Sequence, residues 1–395
     1  MVDVAVGRGD QSRRFSIYDP SDAFALIDEL QHLSRRAIEA NVFFDPKFLV
    51  PAMPRLDERH VQLMVMRDEG PARSRLRLMM PFTREPSRRF GGIETIRAWA
   101  HPFGRLGTPP LDGDDPRSTL ESFLAMLARP ELGLPRVLVL PEIRTDGAFH
   151  AILRAAARQT GLPVATVNET SRAAIIKEAG VETAFVQGLA PKRRRELHRQ
   201  RRRLSESGPV TFQVARSADA VREAFEEFLS LEASGWKGRE RSALVIDRFR
   251  AAFARESINA LAEDGRVRIF GLRVGDRVVA SLVVLIDGAE AFAWKTAYDE
   301  TFAEASPGQQ VVAEATRALL ADPAIRRVDS CAMPDNFVMN RFWPNRLELA
   351  TVVVGLAPDS QKLVTRAVSG LRASHRSRNL VRLARAQVKD LFSRG

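Results

Sequence analysis

The sequence predicts an α/β protein in which mixed, mainly antiparallel sheets are flanked by helices, and three observations support this class. Residues 267–298 contain three strand-like runs joined by short Gly-Asp and Asp-Gly turns, which are typical of antiparallel hairpins. A helical run at 309–320 follows, and a strand-like run at 327–332 comes next. A helix between two strands of one sheet usually makes a right-handed crossover between parallel strands.

The rest of the chain has the same mixture of elements. Residues 99–116 are rich in Gly and Pro and predict a loop. Prolines at 46, 51 and 54 keep any helix there short. Apolar spacing predicts helices at 22–40, 118–127, 148–159, 218–231 and 247–261, and strands at 61–67, 75–82 and 136–143.

Composition excludes several classes of protein. With 395 residues, 45% of them hydrophobic, the chain is long enough for two or three folded domains. The single cysteine, Cys331, excludes a disulfide framework, and the six scattered histidines show no metal-ligand spacing, so no metal is expected. The longest apolar run, residues 278–286, has half the length of a membrane helix, about 18 residues. We therefore expect a cytoplasmic protein.

The net charge of +11 is concentrated in two segments. Residues 192–203 contain eight basic residues and one acid, and residues 360–395 contain nine basic residues and one acid. The first segment is either a polyanion-binding surface or a solvated connecting helix. The second predicts a basic amphipathic helix over 363–392, broken near Gly370. It either binds an anionic membrane surface, at the inner face of the membrane, or packs on its own domain.

The order of elements and three local sequences resemble the GNAT acyltransferase superfamily. The sequences are LEASGWKGR (231–239), WKTAYDETFAEASPGQQVVAEA (294–315) and DSCAMPDNFVMNRFWPNR (329–346). They are similar to the acetyltransferase-like domain of CelD-type cellulose-biosynthesis proteins, as is the basic run before them. The resemblance implies tandem GNAT-like domains: a degenerate one at 1–190, a second at 191–357, and a basic helical tail at 358–395. A doubled fold of this kind also resembles Fem-type aminoacyltransferases.

The resemblance implies an acyl-CoA site where the helix after the meander begins. Its residues would be Ser306, Gly308, Gln309 and Gln310, at the position where GNAT enzymes bind the pyrophosphate of acyl-CoA. A helix N-terminus offers N–H groups and a positive dipole end to an anion, and glycine allows close approach to the backbone. From the residues alone, Ser306 and the proline after it favour an ordinary helix start over a cofactor site.

The same resemblance implies catalytic groups near the end of the third strand. Asp299 and Glu232 are the candidate bases for the substrate ammonium, and Tyr298 is the candidate proton donor to the leaving thiolate. Strict alternation places Trp294 with Tyr298 on one face of the strand and Lys295 with Asp299 on the other. The structural alternative is a Lys295–Asp299 pair with a packed Tyr298.

Acceptor contacts are expected around the first helix and the ends of the strands. A tryptophan suits a sugar ring, and a cationic side chain orients a carboxylate. The alternatives are a tryptophan that covers the core and an Asp-Asn turn that caps a helix. The candidate substrate-binding residues are Trp236, Lys237, Lys295, Asp329, Asp335 and Asn336.

The function expected from the resemblance is acyl-CoA-dependent N-acyl transfer, most simply from acetyl-CoA. The acceptor would be an amine of a small molecule, such as a sugar nucleotide, or of a cell-envelope polysaccharide precursor. One alternative is a tRNA-dependent aminoacyltransferase, which would give the basic run at 192–203 a purpose and is the one case in which a nucleic-acid partner is expected. The other alternative is a non-catalytic GNAT-fold scaffold in polysaccharide biosynthesis.

Overall fold

A computed structural model describes residues 2–6, 12–57, 60–69, 74–86, 92–101, 103–177 and 191–392. The chain forms two compact units, and neither is continuous in sequence. Unit 1 comprises Met1–Glu39, Arg59–Thr170 and Glu348–Gly395. Unit 2 comprises Ala40–Glu58 and Ser171–Leu347. The predicted domains at 1–190, 191–357 and 358–395 are linear blocks and do not coincide with these units.

The chain contains thirteen strands and eleven α-helices among the described residues, and runs of consecutive strands are separated by helices. The strands are Val2–Val6 (β1), Ser12–Tyr18 (β2), Gln62–Glu69 (β3), Ser74–Glu85 (β4), Thr95–Ala98 (β5), Val137–Arg144 (β6), Val164–Ile176 (β7), Val210–Ala215 (β8), Val267–Val274 (β9), Arg277–Asp287 (β10), Glu290–Tyr298 (β11), Arg327–Asp329 (β12) and Asn345–Gly355 (β13). The α-helices are Ile27–Arg35 (α1), Pro46–Ala52 (α2), Pro116–Leu127 (α3), Ala148–Gln159 (α4), Pro191–Ser205 (α5), Ala218–Ser234 (α6), Trp236–Arg239 (α7), Arg248–Glu263 (α8), Pro307–Ala321 (α9), Phe337–Phe342 (α10) and Gln361–Phe392 (α11).

Unit 1 contains a mixed sheet with a helical crossover. Strands β1 to β5 pair antiparallel in chain order, β5 and β6 are parallel, and α3 connects these last two. The next strand of the sheet is β13, antiparallel to β6, with Gly355 opposite Val137. This last strand comes from the far end of the chain, which is why unit 1 is discontinuous.

Unit 2 repeats this order. Strands β8 to β11 are antiparallel in chain order, and α9 connects β11 to the parallel strand β12. The strand beyond β12 is the end of β7, with Ile176 opposite Arg327. Unit 2 therefore takes its last strand from the first half of the chain. Each half of the sequence thus supplies a strand to the unit built mainly from the other half.

Three predicted boundaries need correction. The run predicted as a helix over 22–40 is a 3-10 helix at Asp22–Leu26 followed by α1, which ends at Arg35. Asp287 pairs with Glu290, so the second meander turn is Gly288-Ala289, with Gly288 at a φ of 55°. The strand predicted at 327–332 ends at residue 329, because Cys331 takes a left-handed conformation that breaks the ladder.

The C-terminal helix is continuous through Gly370, where the sequence predicts a break. Val364 and Leu371, on either side of this glycine, are buried against Val139 and Val353 of the unit 1 sheet. This packing offsets the cost of a glycine in a helix, about 1 kcal/mol. Up to residue 371 the helix therefore packs on its own unit. The apolar stripe predicted at 380–391 lies outside the residues whose side chains are described.

Candidate functional site

The candidate site in unit 2 begins where strand β11 separates from β12. Strand β11 pairs with β10 up to Tyr298. Within the described residues, its parallel ladder with β12 covers three positions and ends at Phe292 opposite Asp329. The chain then turns at Cys331, which has a φ of 50°. Beyond Phe292, no ladder on this side of β11 occurs among the described residues, and an unpaired strand edge can hydrogen-bond to an extended ligand through its N–H and C=O groups.

A β-bulge follows the end of this ladder on β11. Val283 of β10 pairs with Lys295, and the next residue, Val284, pairs with Ala293, so Trp294 is the extra residue on β11. Trp294 stacks on Phe225 of α6, and Lys295 Nζ donates to Glu232 of the same helix at 2.6 Å.

The predicted alternation along β11 is therefore wrong. Trp294 and Lys295 face the same helix, because the bulge shifts the pleat by one residue. Ala293 and Tyr298 instead belong to the core packed against α9. Tyr298 and Trp294 consequently lie on opposite faces of the sheet, where alternation predicted one face.

Helix α9 begins beside the same strand. Ser306 precedes it in a left-handed conformation (φ 49°, ψ 54°), and Pro307 occupies the first turn. The N–H groups of Gln309 and Gln310 donate to the Ser306 carbonyl. A Cβ on Gly308 would lie 3.3 Å from Cδ1 of Tyr298. The predicted cofactor residue Gly308 and the predicted proton donor Tyr298 are thus in contact.

The two glutamines of the predicted cofactor set have different environments. Gln310 is buried, and its Nε2 donates to the carbonyl of Leu197 on α5 at 2.8 Å. The Gln310 side chain therefore links α9 to α5, and only the Gln310 backbone N–H could take part in a site at the start of α9. Oε1 of Gln309 is buried without a hydrogen-bond partner among the described residues.

Glu232 lies at the centre of a buried charge cluster. Its side chain is fully buried and accepts hydrogen bonds from Lys295 at 2.6 Å and Lys237 at 3.1 Å. Its second oxygen accepts from the backbone N–H of Leu244 at 2.9 Å. Lys237 also donates to the carbonyl of Thr296 at 2.8 Å. The cluster therefore joins α6, the α7–α8 connection and the bulged part of β11.

The electrostatics of this cluster follow from burial and from its two cations. Burial raises the pKa of Glu232, but the charges of Lys295 and Lys237 outweigh it, so the pKa lies below its ordinary value. Burial lowers the pKa of Lys295 more than the charge of Glu232 raises it. Glu232 is therefore a stable carboxylate that serves as the counter-ion of two lysines.

Asp299 is largely buried at the end of β11. Its Oδ1 accepts from the backbone N–H and the hydroxyl of Thr301, at 3.0 and 2.7 Å. It also forms an ion pair with Arg277. Asp299 thus caps the 3-10 helix Glu300–Ala305 that leads to α9. The Lys295–Asp299 pair considered as the structural alternative is replaced by Lys295–Glu232 and Arg277–Asp299.

The remaining predicted acceptor residues lie around the end of β12. Asp329 is fully buried, pairs with Arg172 at 2.5 Å and accepts from the Cys331 N–H. Asn336 caps α10 by accepting from Met339 N–H at 2.9 Å. Asp335 lies between them on an exposed loop. The geometry thus supports the capping alternative for Asn336 and gives Asp329 a structural ion pair.

Trp236 lies at the start of α7 with 40% of its side chain exposed. Its backbone N–H donates to Glu300 at 2.7 Å, and Lys237 Nζ lies 5.9 Å from the centre of its ring. Trp236 and Lys237 are therefore adjacent, and they are joined through Glu232 to Lys295. Trp236 does not cover the core, which was the alternative considered for it.

Unit 1 contains a counterpart of the α9 start with different chemistry. Helix α3 also connects two parallel strands, and it also begins with a left-handed residue, Asp115 (φ 51°, ψ 48°), followed by Pro116. Arg117 stands where unit 2 has Gly308, and two aspartates, Asp114 and Asp115, precede the helix. Carboxylates at this helix N-terminus repel an anion. The backbone geometry is thus repeated, but the residues that would favour phosphate are not.

Sequence reasoning missed the partners of the predicted site residues. Arg172 and Arg277, which neutralise Asp329 and Asp299, lie 157 and 22 positions away from them in the sequence. No local motif marks such pairs. The β-bulge at Trp294 was also missed, although the two adjacent large side chains of WK on a central strand were a possible signal.

Two searches of the described residues were negative. No group of three or more His, Cys, Asp or Glu side chains that could hold a metal ion occurs among them. None of the helices described is long and apolar enough to cross a membrane.

Comparison with known proteins assigns the class of this fold. Residues 191–337, less than half of the chain, match the family model described as an acetyltransferase (GNAT) domain. No curated protein matches the chain. The region that contains the bulge and the start of α9 thus resembles an acetyltransferase (GNAT) domain, and the predicted α/β fold class is confirmed.

Solved structures extend the likeness to most of the chain. The crystal structure of FemX superposes with a TM-score of 0.52 at 8% identity, covering 86% of this chain and 98% of that chain. The C-terminal domain of an Agrobacterium fabrum protein assigned as a lysylphosphatidylglycerol synthetase gives a TM-score of 0.50 at 13% identity, with 87% and 94% covered. A tandem GNAT protein from the clavulanic acid biosynthesis pathway gives 0.39 at 12% identity, with 88% and 99% covered. At these identities the first two likenesses establish the fold alone.

Proposed function

We propose that the protein is an acyl-CoA-dependent N-acyltransferase, with acetyl-CoA as the simplest donor. The proposed acceptor is an amine of a sugar nucleotide or of a cell-envelope polysaccharide precursor, which follows from the resemblance of the three local sequences to CelD-type proteins. The GNAT domain match over 191–337 supports the reaction class. The acceptor rests on the resemblance alone.

The early end of the β11–β12 ladder is the observation that supports the proposal. An extended amide chain, such as that of pantetheine, can pair with the edge of β11 beyond Phe292, where the ladder with β12 ends. The start of α9 lies next to Tyr298 at the end of the same edge. Its dipole suits a pyrophosphate, and Gly308 and Gln309 in its first turn are partly exposed. A donor that is extended at one end and anionic at the other fits this arrangement.

The proposed chemistry is attack of the acceptor amine on the thioester carbonyl. The amine loses a proton, the C–N bond forms, the C–S bond breaks, and the thiolate takes a proton. Tyr298, in contact with Gly308, is the proposed donor to the thiolate. Of the two candidate bases, Asp299 stays the proposed base, because Glu232 is a buried counter-ion with both oxygens engaged. Lys237 and Lys295, which pair with Glu232, and Trp236 beside Lys237 would orient the acceptor.

Titration of the full chain with acetyl-CoA tests the proposal. We expect Gly308→Val to weaken binding at least about tenfold, which is 1.4 kcal/mol, because its methyl groups obstruct the contact between the α9 start and Tyr298. Gly271→Val is the matched control, since a Cβ there meets no atom within 4 Å and β9 tolerates a β-branched residue. Thermal unfolding of both variants shows whether the fold is retained.

The same titration should give one acyl-CoA per chain. Unit 1 has Arg117 and two aspartates where unit 2 has the glycine-containing start of α9. Two bound molecules per chain would contradict this assignment. No binding of acetyl-CoA or longer acyl-CoA to the wild type would reject the donor itself.

Aminoacyl transfer from tRNA is a second candidate, favoured by the surface of α5. Arg194, Arg199 and Arg202 are exposed on this helix, and arginine is well suited to phosphate. Retention of charged tRNA by the wild type, and its loss in a variant with glutamine at these three positions, would support this candidate if acyl-CoA does not bind. Binding of neither would favour a non-catalytic scaffold.

A further inference from the structure

Among the described residues six large apolar side chains are exposed; five belong to unit 2, and three of these lie in one short segment. Trp236, Ile246 and Phe249 are 40%, 42% and 49% exposed and lie within 14 residues of each other. Met333 and Phe337, in the loop after β12 and at the start of α10, are 41% and 65% exposed. Such a concentration within one segment differs from the scattered exposure expected of an ordinary surface.

Each exposed aromatic ring of this unit has a cation beside it. The Arg248 guanidinium lies 4.7 Å from the centre of the Phe249 ring, and Lys237 Nζ lies 5.9 Å from that of Trp236. In α10, the Arg341 guanidinium lies 4.8 Å from the Phe337 ring. The segment 236–250 as a whole contains five basic residues and two acids. It therefore presents apolar and cationic groups side by side.

Internal hydrogen bonds fix the backbone that carries these side chains. Glu300 accepts from the Trp236 N–H, and Glu232 accepts from the Leu244 N–H. The carbonyl of Lys237 accepts from the N–H groups of Ser242 and Ala243, at 2.8 and 3.0 Å. The polar groups of the connection are thus satisfied from within. Because these hydrogen bonds fix the backbone, the side chains of Trp236, Ile246 and Phe249 stay exposed to solvent.

We propose that segment 236–250 is a docking surface for an anionic lipid membrane. Transfer of apolar side chains of this size from water into the boundary of a bilayer lowers the free energy, and tryptophan prefers that interface. The exposed arginines of the segment, Arg239, Arg241 and Arg248, are attracted to acidic headgroups, whereas Lys237 is held by Glu232. The proposal does not depend on acyl transfer. With the proposed function, it restricts acceptors to those presented at a membrane.

Charge complementarity and side-chain type favour a lipid surface over nucleic acid. Stacking on bases needs aromatic faces, and the arginine beside Phe249 already covers one face of that ring. Ile246 contributes nothing to base stacking but inserts readily among acyl chains. The exposed cationic surface of α5 provides the contrast, since its apolar residues Leu197 and Leu204 are buried.

The intrinsic fluorescence of Trp236 gives a direct test on the full chain. The other three tryptophans, Trp99, Trp294 and Trp343, are buried, with at most 8% exposed. We expect vesicles of phosphatidylcholine and phosphatidylglycerol to shift the emission to shorter wavelength at low salt. Pure phosphatidylcholine vesicles should shift it less, because the headgroup attraction is absent. No shift with the anionic vesicles at low salt would overturn the proposal.

Vesicle sedimentation of variants identifies the surface responsible. The triple variant Trp236→Ser, Ile246→Ser and Phe249→Ser should lower the partition coefficient about tenfold or more, since these side chains supply the apolar contact. Phe24→Ser, a comparably exposed phenylalanine in unit 1, and Arg194→Gln with Arg199→Gln on α5 are the controls and should bind as the wild type.

Two outcomes would contradict the proposal in this assay. One is unchanged binding of the triple variant together with loss of binding after truncation at His375, which would assign the membrane contact to the tail. The other is loss of binding in the α5 variant alone, which would indicate simple attraction of basic charge. Melting curves of all variants, with the wild-type transition retained, exclude unfolding as the cause.

Discussion

The Glu232 carboxylate holds two lysines of the candidate site in place. It is fully buried and is the shared counter-ion of Lys295 and Lys237. We expect Glu232→Gln to lower the free energy of unfolding by about 3–5 kcal/mol, because two buried cations lose their charge partner. Chemical denaturation measures this directly.

Glu226 on the same helix is the matched control for Glu232. It pairs with Arg255 at 2.7 Å, and both side chains are about half exposed. Glu226→Gln should therefore cost less than about 1 kcal/mol, as is usual for a surface ion pair. Equal losses in the two variants would show that the Glu232 cluster is not an effective buried network.

Asp287 gives unit 2 a stability that depends on pH. It accepts from Arg266 at 2.8 Å and from the Asn41 N–H at 2.9 Å, and Asp45 is also paired with Arg266. Burial raises the pKa of Asp287 to about 6, the charge of Arg266 opposes the rise, and the charge of Asp45 adds to it.

The direction of this pH effect follows from proton linkage. At pH values between the ordinary pKa of 3.8 and about 6, Asp287 is protonated to a greater extent in the folded state than in the unfolded state. Its contribution is therefore complete below about pH 4 and is lost as the pH rises through about 6. Urea denaturation from about pH 4 to pH 7 should show this loss, and Asp287→Asn should flatten it. Parallel profiles for the two proteins would contradict the assignment.

At the scale of elements, the C-terminal helix is part of the unit 1 core. Val364, Ala367 and Leu371 are buried against a cluster that includes Val137 and Val353. Truncation after Ala357 removes these contacts, so we expect a melting temperature lower by several degrees or an insoluble protein. Truncation after His375 keeps them and should leave the melting temperature unchanged.

This outcome revises the expected role of the tail. A membrane anchor that can be removed without affecting the fold would have to lie beyond residue 371. If truncation after Ala357 leaves stability and solubility unchanged, the packing of the first turns contributes little, and the tail is a separate appendage.

At the scale of the whole molecule, the two halves of the sequence are interdependent. Unit 2 contains the end of β7 beside β12 and the segment Ala40–Glu58. In that segment, the Phe48 ring packs edge to face on two rings. Its centre lies 5.1 Å from that of Phe253 and 5.7 Å from that of Trp294. A fragment of residues 191–357 lacks both contributions, although it contains the whole matched GNAT domain.

We therefore expect the 191–357 fragment to fail to fold on its own. Buried aromatic side chains and one edge of β12 would be exposed to water, which promotes aggregation. Coexpression of residues 191–395, which keep the C-terminal helix, with residues 1–190 should give a soluble complex. A monomeric fragment with a cooperative thermal transition would contradict this and would support the linear domains that the sequence predicts.

Local sequence was enough to predict most helices and strands and the presence of a GNAT-like domain in the second half of the chain. Hydrophobic periodicity, two-residue turns and the Ser-Pro-Gly helix start depend on neighbouring residues, so the meander, the crossover helix α9 and the contact region of Gly308 could be predicted. Three features followed only from tertiary packing: the strand that each half of the chain contributes to the other unit, the arginine that neutralises each aspartate, and the face that Trp294 occupies. Strand exchange, the Arg172–Asp329 pair and the β-bulge depend on partners distant in sequence. Their positions follow from the packing of the whole chain, and no local pattern encodes them.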